Sequence, residues 1–362
     1  MIEVVRTAPV RTLIVDDTPL MRKAIRKILS KSGDIEVVGT AANGRECLDQ
    51  VMTLNPDVVT LDVDMPVMNG ITTLKNIMVR RQLPIVMISS LIQDGYFVFE
   101  ALRLGVVDFL PKPERLSQEK LEREEEIIRT RVRMASSMQV QHVRRMRRQK
   151  NKRPMIARDE GEASPVRLVV VGANLAGPNT LMHIVTQLPP DFSGAVVALQ
   201  EIHPRVLAPF CARFDAISPL PIIPVSESCT LQAGSIYMAS SFRGVHVMKT
   251  PGENSYTLEA ADKPDSRPID RLFTTAAQCF GPNLCSVLLT GVGTDGAAGM
   301  LEIRKRGGLN LAQKQACCVY PNLVENAIMK GSVDAVLTPG EIADSLKAWA
   351  KSEDALRCAR QC

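Results

Sequence analysis

Chemically active side chains follow the carboxyl ends of the strands predicted in the first 115 residues. Asp16 and Asp17 follow RTLIV, Asp62 ends DVVTLD, Ser89 ends IVMIS, and Lys112 ends the short strand in VDFLPKP. These ends share one edge of an open α/β sheet, so the side chains are expected to converge. Clustered carboxylates repel one another unless a cation lies among them, and all-oxygen ligation suits Mg²⁺. Phosphoryl transfer is the expected chemistry, with Asp62 as the nucleophile, and with the metal, Lys112 and later Ser89 stabilising the phosphoryl oxygens.

Each of these residues also has a purely structural interpretation. Asp16 or Asp17 alone would cap a helix beginning at Thr18-Pro19, and Lys112 alone would be a surface charge. Their shared placement at strand ends favours one common site.

A second candidate site is the predicted strand-to-helix turn between Gly172 and Gly177. Its spacing fits neither GxGxxG nor GxxxxGK[ST], so a nucleotide site is disfavoured. A sharp turn of this kind can hold a nucleophile, but here the residue is Asn174. A carboxamide donates and accepts hydrogen bonds and is not a nucleophile of the kind that acyl transfer uses.

The elements that must position these residues alternate between apolar strands and amphipathic helices. This pattern predicts a doubly wound parallel sheet over residues 9–115 and a second α/β domain over 166–352. In the second domain, GSIYMAS and GVHVMK are predicted to pair as a β-hairpin. A chain of 362 residues is also too long for one core. No apolar run reaches the length of a membrane span and no signal peptide is evident, so a cytoplasmic location is expected.

Residues 116–165 are predicted to form a charged, helical linker. Glu114 to Glu126 holds six glutamates, whereas Arg129 to Arg153 holds eight arginines and two lysines without an acidic residue. A solvated connector is the simplest interpretation, and the apolar spacing gives a coiled coil little support. The alternative interpretation is that the basic segment contacts an acidic partner. A nucleic acid is disfavoured because neither aromatic residues nor a recognition motif accompanies the segment.

The motifs LIVDD, LDVDMPVMNG, VMISSL and DFLPKP resemble those of two-component response-regulator receiver domains, which have a flavodoxin-like fold. The resemblance implies that Asp62 is phosphorylated by a histidine kinase of the CheA type. It implies that Asp16, Asp17, Asp62 and the backbone carbonyl of Asp64 hold Mg²⁺, and that Ser89 and Lys112 support the phosphoryl group. Phe109 matches the aromatic switch residue, although it would equally suit the core.

The block LLTGVGTDGAAGM, with RPIDRLFTTAA before it and LAQKQACCV after it, resembles the catalytic domain of the CheB family of chemotaxis protein-glutamate methylesterases. Members of that family hydrolyse methyl esters on methyl-accepting chemoreceptors and deamidate glutamines with a serine, histidine and aspartate triad. Receiver phosphorylation relieves their inhibition. The resemblance matches Asp295 to the triad aspartate, and it gives an oxyanion hole of the backbone N–H groups of Leu175 and Val292.

Three positions depart from the family pattern. Asn174 replaces the nucleophilic serine, and Glu201-Ile202-His203-Pro204 replaces QHMP, which aligns Ile202 with the histidine and places His203 one position late. Asn322-Leu323-Val324 replaces the GMP turn. Thr180 is the nearest other hydroxyl, but the predicted helix gives it a structural role.

Three hypotheses about function follow. The chain is either a phosphorylation-regulated methylesterase and deamidase in which His203 moves into place and another nucleophile acts, or a catalytically impaired binding protein or scaffold. Family membership favours the first hypothesis, and Asn174 favours the second. Output through Arg129 to Arg153 onto an acidic partner is a third hypothesis.

Overall fold

The computed structural model describes residues 8–90, 95–113, 118–138, 164–261 and 265–351. The chain divides into two compact units, residues 1–145 and residues 146–362. No helix among these described residues is both long and apolar enough to cross a lipid bilayer.

Strands and helices alternate along the first unit. They are β1 (Val10–Val15), α1 (Pro19–Leu29), β2 (Ile35–Ala41), α2 (Gly44–Leu54), β3 (Val58–Leu61), α3 (Gly70–Arg80), β4 (Ile85–Ser89), α4 (Gly95–Leu104), β5 (Asp108–Pro111) and α5 (Gln118–Ala135). All strand pairs are parallel, in the order β2-β1-β3-β4-β5. This is the doubly wound, flavodoxin-like order that the sequence predicts.

The central strands of this sheet are buried along their whole length. β3 (VVTL) and β4 (IVMIS) have no exposed residue, as expected of parallel strands covered by helices on both faces. Asn43 and Asn69 are the N-cap residues of α2 and α3, and each side chain accepts a hydrogen bond from the backbone N–H of the third helical residue. Burial therefore defines the extent of the strands, and the two asparagine caps define where α2 and α3 begin.

Helix α5 lies within the segment predicted to be a solvated linker, but it is packed against the first unit. It packs against α1, β1, β3 and β4 of the first unit, and Ile128, Val132 and Ala135 are almost completely buried. Arg131 pairs with Asp108 of β5 at 2.7 Å, and both side chains are buried. The apolar face of this helix thus belongs to the core of the first unit. The rest of the basic segment, residues 139–153, lies outside the described residues.

The second unit is built on a larger sheet. Its elements are β6 (Leu168–Ala173), α6 (Gly177–Val185), β7 (Ala195–Gln200), α7 (Pro204–Asp215), β8 (Ile222–Val225), β9 (Cys229–Thr230), β10 (Ile236–Ser240), β11 (Val245–Lys249), β12 (Tyr256–Ala260), α8 (Pro268–Phe280), β13 (Leu284–Leu288), α9 (Ala297–Lys305), β14 (Leu309–Gln313), α10 (Asn322–Met329), β15 (Ala335–Leu337) and α11 (Pro339–Lys351). Seven of the strands form a parallel sheet in the order β15-β14-β13-β6-β7-β10-β8.

The connections of this sheet reverse direction between β6 and β13. The chain leaves β6 toward β7 on one side, and it leaves β13 toward β14 on the other side. A crevice forms at such a switch point, outside the carboxyl ends of the two strands. The Asn174 turn follows β6, and the Gly291–Thr294 loop follows β13, so both lie at this crevice.

The predicted hairpin forms between different strands. β10 does not pair with β11 but lies inside the parallel sheet between β7 and β8, and its five residues are all buried. β11 pairs instead with β12, antiparallel, in a separate three-stranded sheet with β9. Uninterrupted burial of IYMAS is typical of a central parallel strand, and that burial is the physical reason for the error.

Candidate functional site

The acidic residues and the lysine of the first unit meet at the carboxyl edge of the sheet. Lys112 Nζ lies 2.7 Å from Asp62 Oδ2 and 2.7 Å from Asp16 Oδ2. Asp16 and Asp62 are buried, whereas Asp17 is exposed. Carboxylate oxygens of all three aspartates lie within 4.8 Å of one another. The convergence expected from the sequence is therefore present.

This cluster has the electrostatic character of a cation site. Burial raises the pKa of Asp16, and the charge of Asp62 adds to that rise against the opposing effects of Lys112 and the Thr18 N–H. Burial alone would lower the pKa of Lys112, but its hydrogen bonds to Asp16 and Asp62, with their charges, raise it. Asp16 Oδ2 contacts the Lys112 ammonium, and a carboxylate oxygen has a further lone pair for a metal ligand bond. These residues fit a divalent cation.

Close backbone packing holds Asp62 in place. Asp62 Oδ1 accepts a hydrogen bond of 2.7 Å from the Val63 N–H, and the Gly70 N–H donates to the Val63 carbonyl at 2.8 Å. A Cβ atom on Gly70 would lie 2.0 Å from the backbone oxygen of Asp62. Only glycine therefore permits this approach, which explains the glycine at the end of the LDVDMPVMNG motif.

The other predicted site residues of this unit lie on the strands β4 and β5 and in the loop after β3. Ser89 is buried at the end of β4, and its carbonyl accepts a hydrogen bond of 3.1 Å from the Lys112 N–H. Asp64 is exposed in the loop after β3. Phe109, opposite Met87 in the β4–β5 register, is 1% exposed and occupies the core.

In the second unit, the Asn174 side chain bridges the crevice at the switch point. Asn174 Oδ1 accepts hydrogen bonds from the Leu175 N–H at 2.7 Å and from the Val292 N–H at 2.9 Å. Its Nδ2 donates to the Val292 carbonyl at 2.8 Å. Leu175 and Val292 carry the two N–H groups that the resemblance assigns to an oxyanion hole. Both donors are thus taken up by the chain's own side chain.

Two further asparagines hold the loop that contains Val292. Asn322 Oδ1 accepts from the Gly293 N–H at 2.8 Å, and Asn326 Nδ2 donates to the Gly293 carbonyl at 2.8 Å. Backbone bonds to Tyr320 and Leu323 fix Gly291 at the other end of the turn. Sequence reasoning noted Asn322 only as a departure and missed Asn326, which no spacing rule distinguishes from a surface amide.

His203 has the role of a helix cap. It is the N-cap residue of α7, and its Nδ1 accepts the Arg205 N–H at 3.2 Å. Burial, with the charge of Arg205, lowers the pKa of His203 to about 4, so the ring is neutral at pH 7. Because Nδ1 is an acceptor, the single proton lies on Nε2. That nitrogen can donate a hydrogen bond but cannot take a proton from a nucleophile.

Asp295 also has a structural set of partners. Its carboxylate accepts backbone N–H groups of Ile269 and Asp270 at the start of α8, at 2.9 and 2.8 Å, and that of Gly296 at 2.9 Å. Burial raises the pKa of Asp295 to about 6. Among the described residues, none of its hydrogen bonds reaches His203, so the structure does not bring the predicted base and acid together. Thr180 is buried inside α6, as the sequence indicates.

The fold and its two sites define a class of protein: a phosphoacceptor-type acidic pocket on one α/β unit, followed by a hydrolase-type turn on a second. The comparisons with known sequences agree. The chain matches the family described as response regulator receiver domain over residues 12–123 and the family described as CheB methylesterase over residues 169–346. The chain belongs to the CheB methylesterase family and carries an N-terminal receiver domain.

Relatives of similar length support this assignment. A protein-glutamate methylesterase/protein-glutamine glutaminase of Carboxydothermus hydrogenoformans is 33% identical, over 93% of this chain and 98% of that protein. Its counterpart from Archaeoglobus fulgidus is 34% identical, over 93% of this chain and 97% of that protein.

Among solved structures, the chain is similar to the CheB methylesterase catalytic domain of Thermotoga maritima, which is 25% identical over 50% of this chain and 97% of that chain, with a TM-score of 0.48.

Proposed function

We propose that this chain is a phosphorylation-controlled chemotaxis response regulator that binds methylated chemoreceptor segments but does not hydrolyse their esters. In the first unit, an oxygen of Asp62 forms a bond to phosphorus while the bond from phosphorus to the imidazole of a CheA-type kinase histidine breaks. The Lys112 ammonium, 2.7 Å from Asp62, stabilises the transferred oxygens, and the Ser89 hydroxyl donates to one of them. Phe109 would transmit the effect of Asp62 phosphorylation to the rest of the unit.

Magnesium is the cofactor that suits the acidic cluster. Asp16, Asp17, Asp62 and the backbone carbonyl of Asp64 would hold it, as three carboxylates within 4.8 Å and a loop carbonyl provide hard oxygen ligands. When bound, the ion neutralises charge on the phosphoryl oxygens. Without the ion, the single charge of Lys112 offsets part of the charge of the three carboxylates.

The observation that carries the proposal for the second unit is the bonding of Asn174 Oδ1 to both Leu175 and Val292. A substrate carbonyl would have to displace this amide to reach the two N–H donors. Three hydrogen bonds would be lost, at about 0.5–1.5 kcal/mol net for each. The site would still lack a nucleophile and a base, because Asn174 is a carboxamide and Nδ1 of His203 is engaged.

Because the second unit lacks a nucleophile and a base, its proposed function is to bind a ligand without hydrolysing it. The relatives are named for action on protein glutamate and glutamine, so the proposed ligand is a methyl-accepting segment of a chemoreceptor cytoplasmic domain. The crevice at the switch point between β6 and β13 is where an α/β sheet of this type places its ligands. Phosphorylation of Asp62 would control access to that crevice.

Binding and ester retention can be followed in one experiment. A chemoreceptor cytoplasmic fragment carrying radiolabelled methyl esters is mixed with the full chain, with and without a small-molecule phosphodonor and Mg²⁺. The expected result is phosphodonor-dependent binding with all label retained on the fragment. Asp62→Asn is expected to abolish both labelling of the protein by phosphodonor and the gain in binding.

The alternative is an active esterase, which the family membership favours. Phosphodonor-dependent loss of methyl label from the fragment would establish it and would refute the proposal. Binding that is equally strong for Asp62→Asn with phosphodonor would instead refute the phosphorylation control while leaving the binding intact.

A further inference from the structure

Two aspartates of the acidic cluster are neighbours in sequence. Successive side chains of a strand point to opposite faces, yet carboxylate oxygens of Asp16, Asp17 and Asp62 lie within 4.8 Å of one another. The chain must therefore leave strand geometry at the pair, and β1 does end at Val15, directly before it. Something has to hold the backbone in this turned conformation.

The Arg22 side chain bonds to the backbone of this turn. Its Nη1 donates a hydrogen bond of 2.6 Å to the Asp16 carbonyl and one of 2.9 Å to the Asp17 carbonyl. Two consecutive carbonyls that share one donor point to the same side, whereas successive carbonyls of an extended strand alternate. Arg22 therefore fixes the backbone conformation from which both carboxylates extend.

The first turn of α1 holds Arg22 itself in place. The Arg22 N–H donates to the Thr18 carbonyl at 3.1 Å, and the Thr18 N–H donates to Asp16 Oδ1 at 2.8 Å. The helix thus contacts the aspartate pair through a backbone N–H on one carboxylate and through a guanidinium on two carbonyls.

Arg22 and Lys112 contact different atoms of the cluster. Lys112 meets carboxylate oxygens of Asp16 and Asp62, each at 2.7 Å, whereas Arg22 meets carbonyls. In the part of the chain that the structure describes, Arg22 forms no ion pair with an acidic residue. Its contacts therefore set the direction of the aspartates and leave their carboxylate oxygens available.

We propose that Arg22 is a positioning residue of the cation site, which holds Asp16 and Asp17 so that both carboxylates face one Mg²⁺. The inference rests on the Mg²⁺ site proposed above. Without Arg22, the backbone of the pair would lose conformational freedom only when the ion binds, and that ordering would oppose binding. With Arg22 in place, the pair is ordered beforehand.

Charge and position give opposite expectations for the loss of Arg22. A guanidinium near the site repels a divalent cation, so removal of its charge alone would tighten Mg²⁺ binding, by about two- to fivefold. Removal of a residue that orients metal ligands weakens binding, typically by about 10–100-fold. We expect Arg22→Met to weaken Mg²⁺ binding about tenfold or more.

The test is a titration of the full chain with MgCl₂, followed through the backbone amide NMR signals of Asp16, Asp17 and Asp62. Arg26→Met is the matched control, because Arg26 is an exposed cation one turn further along α1, and it should change the dissociation constant by less than about twofold. Arg22→Lys keeps the charge without the planar guanidinium and should weaken binding about threefold or more. This variant also carries the test if Arg22→Met does not fold.

The rate of Asp62 labelling by a small-molecule phosphodonor gives a second readout. In Arg22→Met, labelling should be slower at limiting Mg²⁺ and should return to the rate of the natural chain at saturating Mg²⁺, because Lys112 and Asp62 are unchanged. A defect that persists at saturation would contradict a role confined to positioning.

The outcomes separate this inference from the site on which it rests. Mg²⁺ binding that is unchanged or tighter in Arg22→Met, while the natural chain binds the ion, would overturn the role of Arg22 alone. A natural chain that binds no Mg²⁺ would refute the proposed site, and this inference with it.

Discussion

Asn174 changes the crevice in two ways at once. A serine at this turn would supply a hydroxyl nucleophile and leave the N–H groups of Leu175 and Val292 free for a substrate oxygen. The carboxamide removes the nucleophile, and its carbonyl is long enough to accept both N–H groups itself. The side chain therefore stands in for the oxyanion of a bound substrate, and its NH₂ group ties down the Val292 carbonyl as well.

Asn174→Asp tests this bonding pattern with little change in shape. The substitution replaces the NH₂ donor by an oxygen that faces the Val292 carbonyl, so one hydrogen bond is exchanged for a repulsion between acceptors. We expect the second unit to lose about 1–3 kcal/mol of stability, measured as a lower thermal midpoint. Asn283→Asp, at an exposed position, should change stability by less than about 0.5 kcal/mol. Equal midpoints for the two variants would contradict the bonding pattern.

His203 gives a prediction about pH. Its pKa is about 4 in the folded chain and about 6.5 in an unfolded chain, so the unfolded state binds the additional proton between these values. The contribution of His203 to stability is full above about pH 6.5 and is lost progressively as the pH falls toward 4. NMR titration should give a midpoint near 4 with the neutral proton on Nε2. A midpoint near 6.5 with the proton on Nδ1 would indicate a triad-like base instead.

At the scale of elements, α5 shows where sequence reasoning reached its limit. In the sequence, the high charge of this segment favours a solvated helix, although Ile128 and Val132 lie on one face of it. The structure places several of these charges in ion pairs on the first unit: Arg131 with Asp108, Lys31 with Glu125, and Arg133 with Asp34. A charge count does not reveal such partners, two of which lie 94 and 99 residues away in sequence.

The buried ion pair of α5 should contribute far more to the stability of the helix than the exposed ion pair does. Arg131→Ala leaves Asp108 buried without its guanidinium, and we expect it to destabilise the docking of α5 by about 3–5 kcal/mol. Arg133→Ala removes a half-exposed pair with Asp34 and should cost less than about 1 kcal/mol. Amide hydrogen exchange along α5 measures both effects. Equal protection in the two variants would show that the Arg131 pair does not hold the helix.

The strand ends of both units were predictable because their chemistry is local. Asp16, Asp62 and Lys112 each directly follow an apolar run, and parallel strands must bring such ends to one edge. The β10–β11 hairpin was mispredicted because adjacent apolar runs do not reveal which sheet each joins. The hydrogen bonds of Asn174 were beyond prediction, since they join residues 118 positions apart and depend on one side-chain rotamer.

At the scale of the whole molecule, the two units differ in how much of the expected chemistry their residues can carry out. The first unit brings Asp16, Asp17 and Asp62 within 4.8 Å of one another and places Lys112 2.7 Å from Asp16 and from Asp62, which are groups that phosphoryl transfer to Asp62 would use. The second unit retains the CheB-family fold, and Asp295 within it, but its nucleophile position is an amide and its histidine caps a helix. Control by phosphorylation is thus expected to persist in a protein whose output is binding.

Methanol release from a methylated chemoreceptor fragment is the measurement that tests this claim most directly. With the natural chain we predict release at the background rate, with or without phosphodonor, since loss of a triad nucleophile or base lowers turnover on the order of 10⁶-fold. Asn174→Ser should free the two N–H donors but remain far below an intact enzyme, because Nε2 of His203 already carries its proton. Phosphodonor-stimulated methanol release by the natural chain would contradict the account.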